Sequence, residues 1–269
     1  MRLVLRYSPW VIFAIAALFF LIPLFSTVEF SLSIRRGVYS LEAYESVFLD
    51  PEFAASFGYS LLIAVLTIIF GTILVVPMAY YVRLRLKWLR PAVEIFVMLP
   101  MIVPPIVLVF GYLRLFSSSS VLPLVNSSAG ASILLVCGCI VLSLPYLYRS
   151  IDTGLQTIDV QTLTEAAHIL GARPFATIRL VIFPNILASV MSGAFLTFAV
   201  VMTEFVIASL LTRPAFGTYI QKIGVSKAYE PAALTILSFS ITWGALAMMN
   251  VMTRFSRRAE YGTSSILLV

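Results

Sequence analysis

Residues Phe57 to Val82 read FGYSLLIAVLTIIFGTILVVPMAYYV, an apolar stretch without a charged side chain. An α-helix rises about 1.5 Å per residue, so about 20 apolar residues are enough to cross the roughly 30 Å of hydrocarbon in a bilayer. Strands of a membrane barrel are only about 10 residues long and alternate between apolar and polar side chains, which this stretch does not do. The segment therefore predicts a transmembrane helix.

Five further blocks of this kind lie along the chain. Hydrophobic residues make up 61% of the 269 positions and charged residues only 11%, against roughly a half and a quarter in a soluble domain. We therefore expect an all-α integral membrane protein, with one transmembrane domain over residues 1–269. The six predicted transmembrane helices are Pro9 to Phe30, Phe57 to Val82, Ala92 to Phe116, Ala129 to Tyr148, Asn185 to Leu211 and Ala232 to Val251.

The basic residues indicate how these helices are oriented. Cytoplasmic loops of membrane proteins carry an excess of lysine and arginine. With an even number of helices, the N and C termini are both expected in the cytoplasm, and this topology explains the net charge of +6 without a nucleic-acid partner. Of the 18 basic residues, those that mark the cytoplasmic side are Arg2, Arg6, Arg83, Arg85, Lys87, Arg90, Arg149, Arg173, Arg179, Arg254, Arg257 and Arg258.

The fourth connection, from about Arg149 to Pro184, is long and predicted to be cytoplasmic. Between Asp159 and Arg179 it follows a helical pattern that is interrupted at Gly171 and Pro174. Two short helices that meet at a turn are predicted, with a surface for a partner. Apolar Val160, Leu163, Ala167, Leu170 and Phe175 alternate in this pattern with Gln161, Glu165, His168, Arg173 and Arg179.

The same connection carries a family motif. Glu165-Ala166-Ala167, three further residues and Gly171, followed by Val181-Ile182-Phe183-Pro184, resemble the EAA loop of bacterial ATP-binding-cassette import permeases. Val181 replaces the usual isoleucine and Phe183 the usual leucine, and both changes keep the position apolar. The resemblance implies a type I importer permease in which this loop is a coupling helix. The implied coupling residues are Glu165, Ala166, Ala167, Gly171, Arg173 and Pro174.

The resemblance also implies the partners. The coupling helix of such a permease docks on a cytoplasmic ATPase dimer, and that dimer would bind the ATP and magnesium. The chain itself has no Gly-x-x-x-x-Gly-Lys-Ser/Thr phosphate loop, so no cofactor is expected in it. A second permease subunit, as a heterodimer partner, and an extracytoplasmic substrate-binding protein complete the implied complex, located in the lipid bilayer of the bacterial inner membrane.

Glu204 is an acidic residue inside the fifth apolar block. A carboxylate is costly in hydrocarbon, so an acidic residue at such a position indicates a function. Glu204, with Thr203 and Phe205, is a candidate to line the substrate pathway and meet a cationic group. The alternative is a structural residue that is hydrogen-bonded to Thr203 or to a neighbouring helix.

The substrate and the class of transporter have several alternatives. Glu204 followed by Ala208-Ser209-Leu210-Leu211-Thr212-Arg213-Pro214 resembles the spermidine and putrescine permeases, which implies a polyamine or related small cation. Permeases for iron, thiamine or aminophosphonates are alternatives, and an ion-coupled secondary transporter is an alternative of a different class. An intramembrane enzyme is not expected, because the single histidine, His168, lies in the cytoplasmic connection and no metal or nucleophile motif occurs. No catalytic residue and no metal site are therefore predicted.

Overall fold

The computed structural model describes residues 2–35, 38–117, 119–120, 122–244 and 247, with side chains from residue 10 onward. These residues are mainly helical and belong to two compact units. One unit comprises the chain up to Ala55 together with Tyr219–Ile241, and the other comprises Ser56–Thr218 and resumes at Thr242. That the whole chain acts as one permease domain, with a coupling segment at about 149–184, stays a prediction.

The first unit contains helices from both ends of the chain. Its contacts include a 2.8 Å hydrogen bond between Ser31 Oγ and Tyr44 Oη, and the 2.9 Å bond that Tyr219 Oη donates to Asp50 Oδ2. An 18-residue apolar stretch within Trp10–Leu32 has no buried residue, so its surface needs hydrocarbon or another protein around it. The helices of this unit are α1 (Arg2–Leu32), α2 (Glu42–Phe48), the start of α3 (Pro51–Leu84), most of α12 (Phe216–Ser226) and residues 230–241.

The second unit is built around one central helix. Helix α6 (Ser128–Gln156) packs against α4 (Arg90–Ile102) and α10 (Leu187–Met202). Its buried residues contribute to two apolar clusters, one around Leu147 and Ile151 and the other around Leu135 and Cys139. The remaining elements are α5 (Pro105–Leu115), α7 (Val160–Ile169), α8 (Pro174–Thr177), a π-helical turn (Ile178–Ile182), α9 (Phe183–Asn185) and α11 (Val206–Leu210).

The predicted transmembrane helices are found only in part. Trp10–Leu32, Pro51–Leu84 and Ser128–Gln156 are each long and apolar enough to cross a membrane. Two helix pairs meet the same criteria together but are bent, Lys87–Ile102 with Pro105–Leu115 by 95° and Pro174–Asn185 with Leu187–Met202 by 81°. The described residues thus hold three to five candidate spans. The predicted span Ala232 to Val251 extends beyond the described residues and stays a prediction.

Two predicted spans are not continuous helices. The block Ala92 to Phe116 breaks after Ile102, because Pro104 and Pro105 lack amide donors and force extended backbone on the residue before them; Val103 has φ −87° and ψ 121°. The block Asn185 to Leu211 breaks after Met202, and a new helix begins only at Val206. The second break places Glu204 outside regular helix, which the sequence pattern did not predict.

Candidate functional site

The N-terminus of α7 is fixed by Asp159. Its Oδ1 accepts the amide of Thr162 at 3.2 Å and its Oδ2 accepts the Thr162 hydroxyl at 2.7 Å. Aspartate is a preferred N-cap residue because its side-chain oxygen binds an amide that has no partner within the helix. The hydrogen bonds from Thr162 lower the pKa of Asp159 below its ordinary value of 3.8. The start of the candidate coupling segment is therefore locally specified.

The C-terminus of α7 is a glycine-terminated turn. Gly171 has φ +79°, its amide donates to His168 O at 2.9 Å, and the amide of Ala172 donates to Ala167 O at 2.9 Å. This is the Schellman pattern, in which a residue of left-handed conformation closes the helix and satisfies its last carbonyls. The prediction of two short helices that meet at a turn is confirmed, with α8 beginning at Pro174.

The turn presents an apolar surface to the outside. Ile169 is 86% exposed, Leu170 87% and Phe175 75%. The helical pattern had grouped Leu170 and Phe175 with the inward-facing Val160 and Ala167, but only the latter two are buried. The reason is that α7 ends at Ile169, so its helical period extends neither to Leu170 nor to Phe175 beyond the turn.

The other predicted coupling residues lie close together on this segment. Glu165 is exposed, and its Oε1 accepts from Gln161 Nε2 at 3.0 Å. Ala166 is exposed and Ala167 is buried, so of the two only Ala167 packs against the protein interior. Exposed Arg173 and Pro174 follow the turn, Arg173 as the N-cap residue of α8 and Pro174 as its first residue.

A buried hydrogen bond attaches α7 to α3. Tyr80 Oη and Thr164 Oγ1 are 3.1 Å apart, and Tyr80 is 1% exposed and Thr164 3%. The turn that follows is supported by Ile178 and Ile182, which belong to the same apolar cluster as Tyr80. Movement of the segment would therefore be transmitted to α3 through packed side chains.

Sequence reasoning missed a charged network beside this segment. Asp152 on α6 accepts from Arg83 Nη1 at 2.9 Å, from Arg90 Nη2 at 3.3 Å and from Gln156 Nε2 at 2.7 Å. Arg90 also donates to Glu94 at 2.9 Å through Nε, a pair that the spacing of the two residues on one helix favours. One indication of this network was present in the sequence. Asp152 is a carboxylate at the predicted cytoplasmic end of the fourth apolar block, on the same side as several arginines.

Glu204 precedes the short helix α11, whose N-cap residue is Phe205. Its Oε1 accepts the amide of Ile207 at 2.8 Å and its Oε2 accepts the amide of Ala208 at 3.1 Å. The residue is 8% exposed, and Ile207 and Ala208 are fully buried. The carboxylate thus satisfies two amides that the helix itself leaves without acceptors. That Glu204 also lines the substrate pathway stays a prediction.

The two neighbours of Glu204 differ in their contacts. Thr203 is exposed, and its hydroxyl donates to Ala199 O at 3.0 Å rather than to the Glu204 carboxylate. Phe205 is half-buried. Glu204 also lines a small cavity of about 10 Å³, near the lower limit for one water molecule. The cavity is closed by Ser60, Ile63, Leu135, Cys139, Val201, Ala208 and Ala215.

Comparison with known proteins places this arrangement in a family. Residues 71–261 match the family described as "Binding-protein-dependent transport system inner membrane component". The chain is 29% identical over 191 residues to the spermidine/putrescine transport system permease protein PotC of Escherichia coli (strain K12), covering 68% of this chain and 69% of that protein. It is 25% identical over 185 residues to the molybdate/tungstate transport system permease protein WtpB of Pyrococcus furiosus, covering 69% of this chain and 70% of that protein.

The fold agrees with this assignment. A bacterial ABC transporter "involved in the import of the acidic polysaccharide alginate" has a chain that superimposes with a TM-score of 0.69 at 17% identity, covering 94% of this chain and 99% of that one. The described residues contain no group of three or more His, Cys, Asp or Glu side chains placed to hold a metal. The family match sets aside the ion-coupled secondary transporter and the intramembrane enzyme. The chain belongs to the inner-membrane permease components of binding-protein-dependent ABC importers, non-catalytic multi-pass subunits that bind no cofactor and work with an ATPase and an extracytoplasmic binding protein.

Proposed function

We propose that residues 159–180 couple this permease to its ATPase dimer, with the apolar turn Ile169–Leu170 and Phe175 as the docking surface. Three large apolar side chains at least 75% exposed on one short turn are unfavourable in water, and burial against a partner removes that cost. This exposed turn is the observation that carries the proposal.

The surroundings of the turn are suited to transmitting a movement. The Schellman turn fixes its backbone, and the Tyr80–Thr164 hydrogen bond connects α7 to a long apolar helix. Closure of the ATPase dimer would move the turn, and the packed side chains would carry the movement into the membrane-spanning part. Alternating access of the substrate pathway follows from this coupling.

Copurification in mild detergent tests the docking surface. We expect Ile169→Asp to weaken ATPase retention by about 2 kcal/mol, roughly thirtyfold in Kd, because it places a charge in the centre of an apolar contact. Glu165→Lys and Gly171→Arg are further variants on the same segment. Leu49→Asp is the matched control, since Leu49 is 82% exposed and follows the end of α2 in the other unit. Equal retention of the ATPase by both aspartate variants would contradict the proposal.

The same experiment addresses the second permease subunit. We propose that this chain forms half of the pathway and pairs with a different permease polypeptide. Mass spectrometry of the purified complex then shows a second membrane-spanning chain in equal amount. A complex with this chain alone in two copies would indicate a homodimer instead.

For the substrate, we propose a polyamine or a related small cation. The similarity to a spermidine/putrescine permease supports this, and so does a carboxylate, Glu204, in the apolar interior. In the pathway role, Glu204 would contribute negative charge, with Thr203 and Phe205 beside it. A small oxyanion is the second candidate, because both Glu204 oxygens already accept backbone amides and one relative is a molybdate/tungstate permease.

ATP hydrolysis by the reconstituted importer, measured together with its binding protein, distinguishes the two candidate substrate classes. Stimulation of ATP hydrolysis by spermidine, and not by molybdate, supports the cation; the reverse result supports the oxyanion. Glu204→Gln keeps an acceptor oxygen for α11 but removes the charge. Loss of spermidine transport in this variant, with unchanged thermal stability, would support a pathway role for Glu204, and unchanged transport would contradict it.

A further inference from the structure

A cavity of about 420 Å³ lies at the predicted cytoplasmic end of the second unit, between the ends of α3 and α6 and the starts of α4 and α7. Its size falls in the range of about 300–1,000 Å³ that is usual for small-ligand sites. The lining residues are Val82, Arg83, Leu84, Lys87, Arg90, Asp152, Ile158, Asp159, Val160 and Gln161.

The charges around this cavity favour an anion. The two carboxylates in its wall are already engaged, Asp152 by Arg83, Arg90 and Gln156 and Asp159 by Thr162. In the part of the chain that the structure describes, Arg83 donates through Nη1 alone and Lys87 forms no ion pair. Among the described residues, Lys87, Arg83 and one terminal nitrogen of Arg90 thus have donor capacity left, whereas the two carboxylates in the cavity wall are already paired.

The cavity lies where lipid headgroups are expected from the lengths of the apolar helices. Trp88, next to Lys87, is 76% exposed, and tryptophan concentrates at the boundary between hydrocarbon and headgroups. The helix that ends at Leu84 is one of the three long candidate spans, so we expect its last turn at the membrane surface. Basic pockets at the cytoplasmic ends of transmembrane helices bind anionic headgroups by this chemistry.

We propose that this cavity binds a phosphate-bearing anion, supplied by an anionic lipid headgroup or by free phosphate, through Lys87, Arg83 and Arg90. The bound anion would contact the α3–α4 turn and the first turn of α7 together. Binding of the anion would then affect ATPase coupling. This effect rests on the coupling proposal, whereas the anion binding itself does not.

Native mass spectrometry of the detergent-purified full-length chain tests the site. The chain is titrated with short-chain phosphatidylglycerol, with phosphatidylcholine and, separately, with inorganic phosphate. We expect Lys87→Gln to weaken anion binding about fivefold, from the contribution of one lysine near a charged surface. Lys87→Arg keeps the charge and should bind as the native chain does. Arg85→Gln is the matched control, because Arg85 is exposed two residues away and does not line the cavity.

Each outcome has a defined meaning. Retention of phosphatidylglycerol that is weakened in Lys87→Gln alone identifies a lipid headgroup as the source. The same pattern for inorganic phosphate, with no retained lipid, identifies the free anion as the source. Equal losses in Lys87→Gln and Arg85→Gln, or retention of neither anion by the native chain, would overturn the proposal. Because none of these measurements involves the ATPase, their failure is distinguishable from failure of the coupling proposal.

Discussion

The helical chain is interrupted at Gly171 and at Glu204, and the backbone is accommodated differently at the two places. At Gly171, outside the predicted membrane region, the chain reverses through a left-handed glycine and leaves Ile169 and Leu170 exposed. At Glu204, inside an apolar block, the chain breaks without exposing its backbone amides, because a buried carboxylate binds two of them. The difference follows from the surroundings: water or a partner can satisfy an exposed turn, whereas hydrocarbon cannot satisfy a break.

The largest effect is expected from removing the buried carboxylate. Glu204→Ala leaves the amides of Ile207 and Ala208 without this acceptor, at about 1–3 kcal/mol for each buried group. Thermal unfolding of the purified chain measures this loss. Glu165→Ala is the control, since Glu165 is exposed on α7, and a surface change of this kind stays within about 0.5 kcal/mol. Similar losses of stability in Glu204→Ala and Glu165→Ala would contradict the view that the buried carboxylate stabilises the second interruption.

A smaller effect is expected from the glycine turn. Gly171→Ala meets no atom within 4 Å, so its cost is the left-handed backbone alone, about 1–2 kcal/mol. Hydrogen exchange at the Ala172 amide should accelerate by about 5- to 30-fold. Gly58→Ala is the control, because Gly58 also has open space but lies inside α3 without positive φ, where alanine is favoured. An unchanged exchange rate at the Ala172 amide would show that the left-handed backbone at residue 171 does not determine the stability of the turn.

The smallest effect concerns the start of α7. Asp159 has a lowered pKa, so its capping contribution is complete above the ordinary value of 3.8 and is lost as the pH falls through the lowered pKa. Hydrogen exchange at the Thr162 amide, corrected for intrinsic rates, should show this loss of protection in acid. Asp159→Asn keeps a capping oxygen but does not titrate, so its protection should be independent of pH. A pH-dependent loss in both chains would assign the effect to another group.

Sequence reasoning predicted the local features well. The helix–turn–helix at Gly171 depends on residues close together in the chain, and the structure confirms it. Of the apolar blocks, three form long apolar helices, and bent helix pairs account for up to two more candidate spans. The exposure of Leu170 and Phe175 was not predicted, because the helical period gives no direction to side chains beyond a turn.

The features that sequence reasoning missed depend on contacts between distant residues. Asp152 and Arg83 are separated by 69 positions, and only the packing of α3 beside α6 brings their side chains together. The Tyr80–Thr164 hydrogen bond, across 84 positions, has the same origin. No periodicity within one segment carries information on such a pair.

The sequence by itself determined that this protein is helical and membrane-embedded, because an apolar block of about 20 residues has no other stable state in a bilayer. Its motif also located the candidate coupling segment. Only the tertiary structure decided that Glu204 binds the first amides of α11. In an unbroken helix, backbone carbonyls would already have bound the amides of Ile207 and Ala208. The cavity beside Lys87 likewise forms only when the α3–α4 connection, α6 and α7 are packed together, because its wall takes residues from all of them.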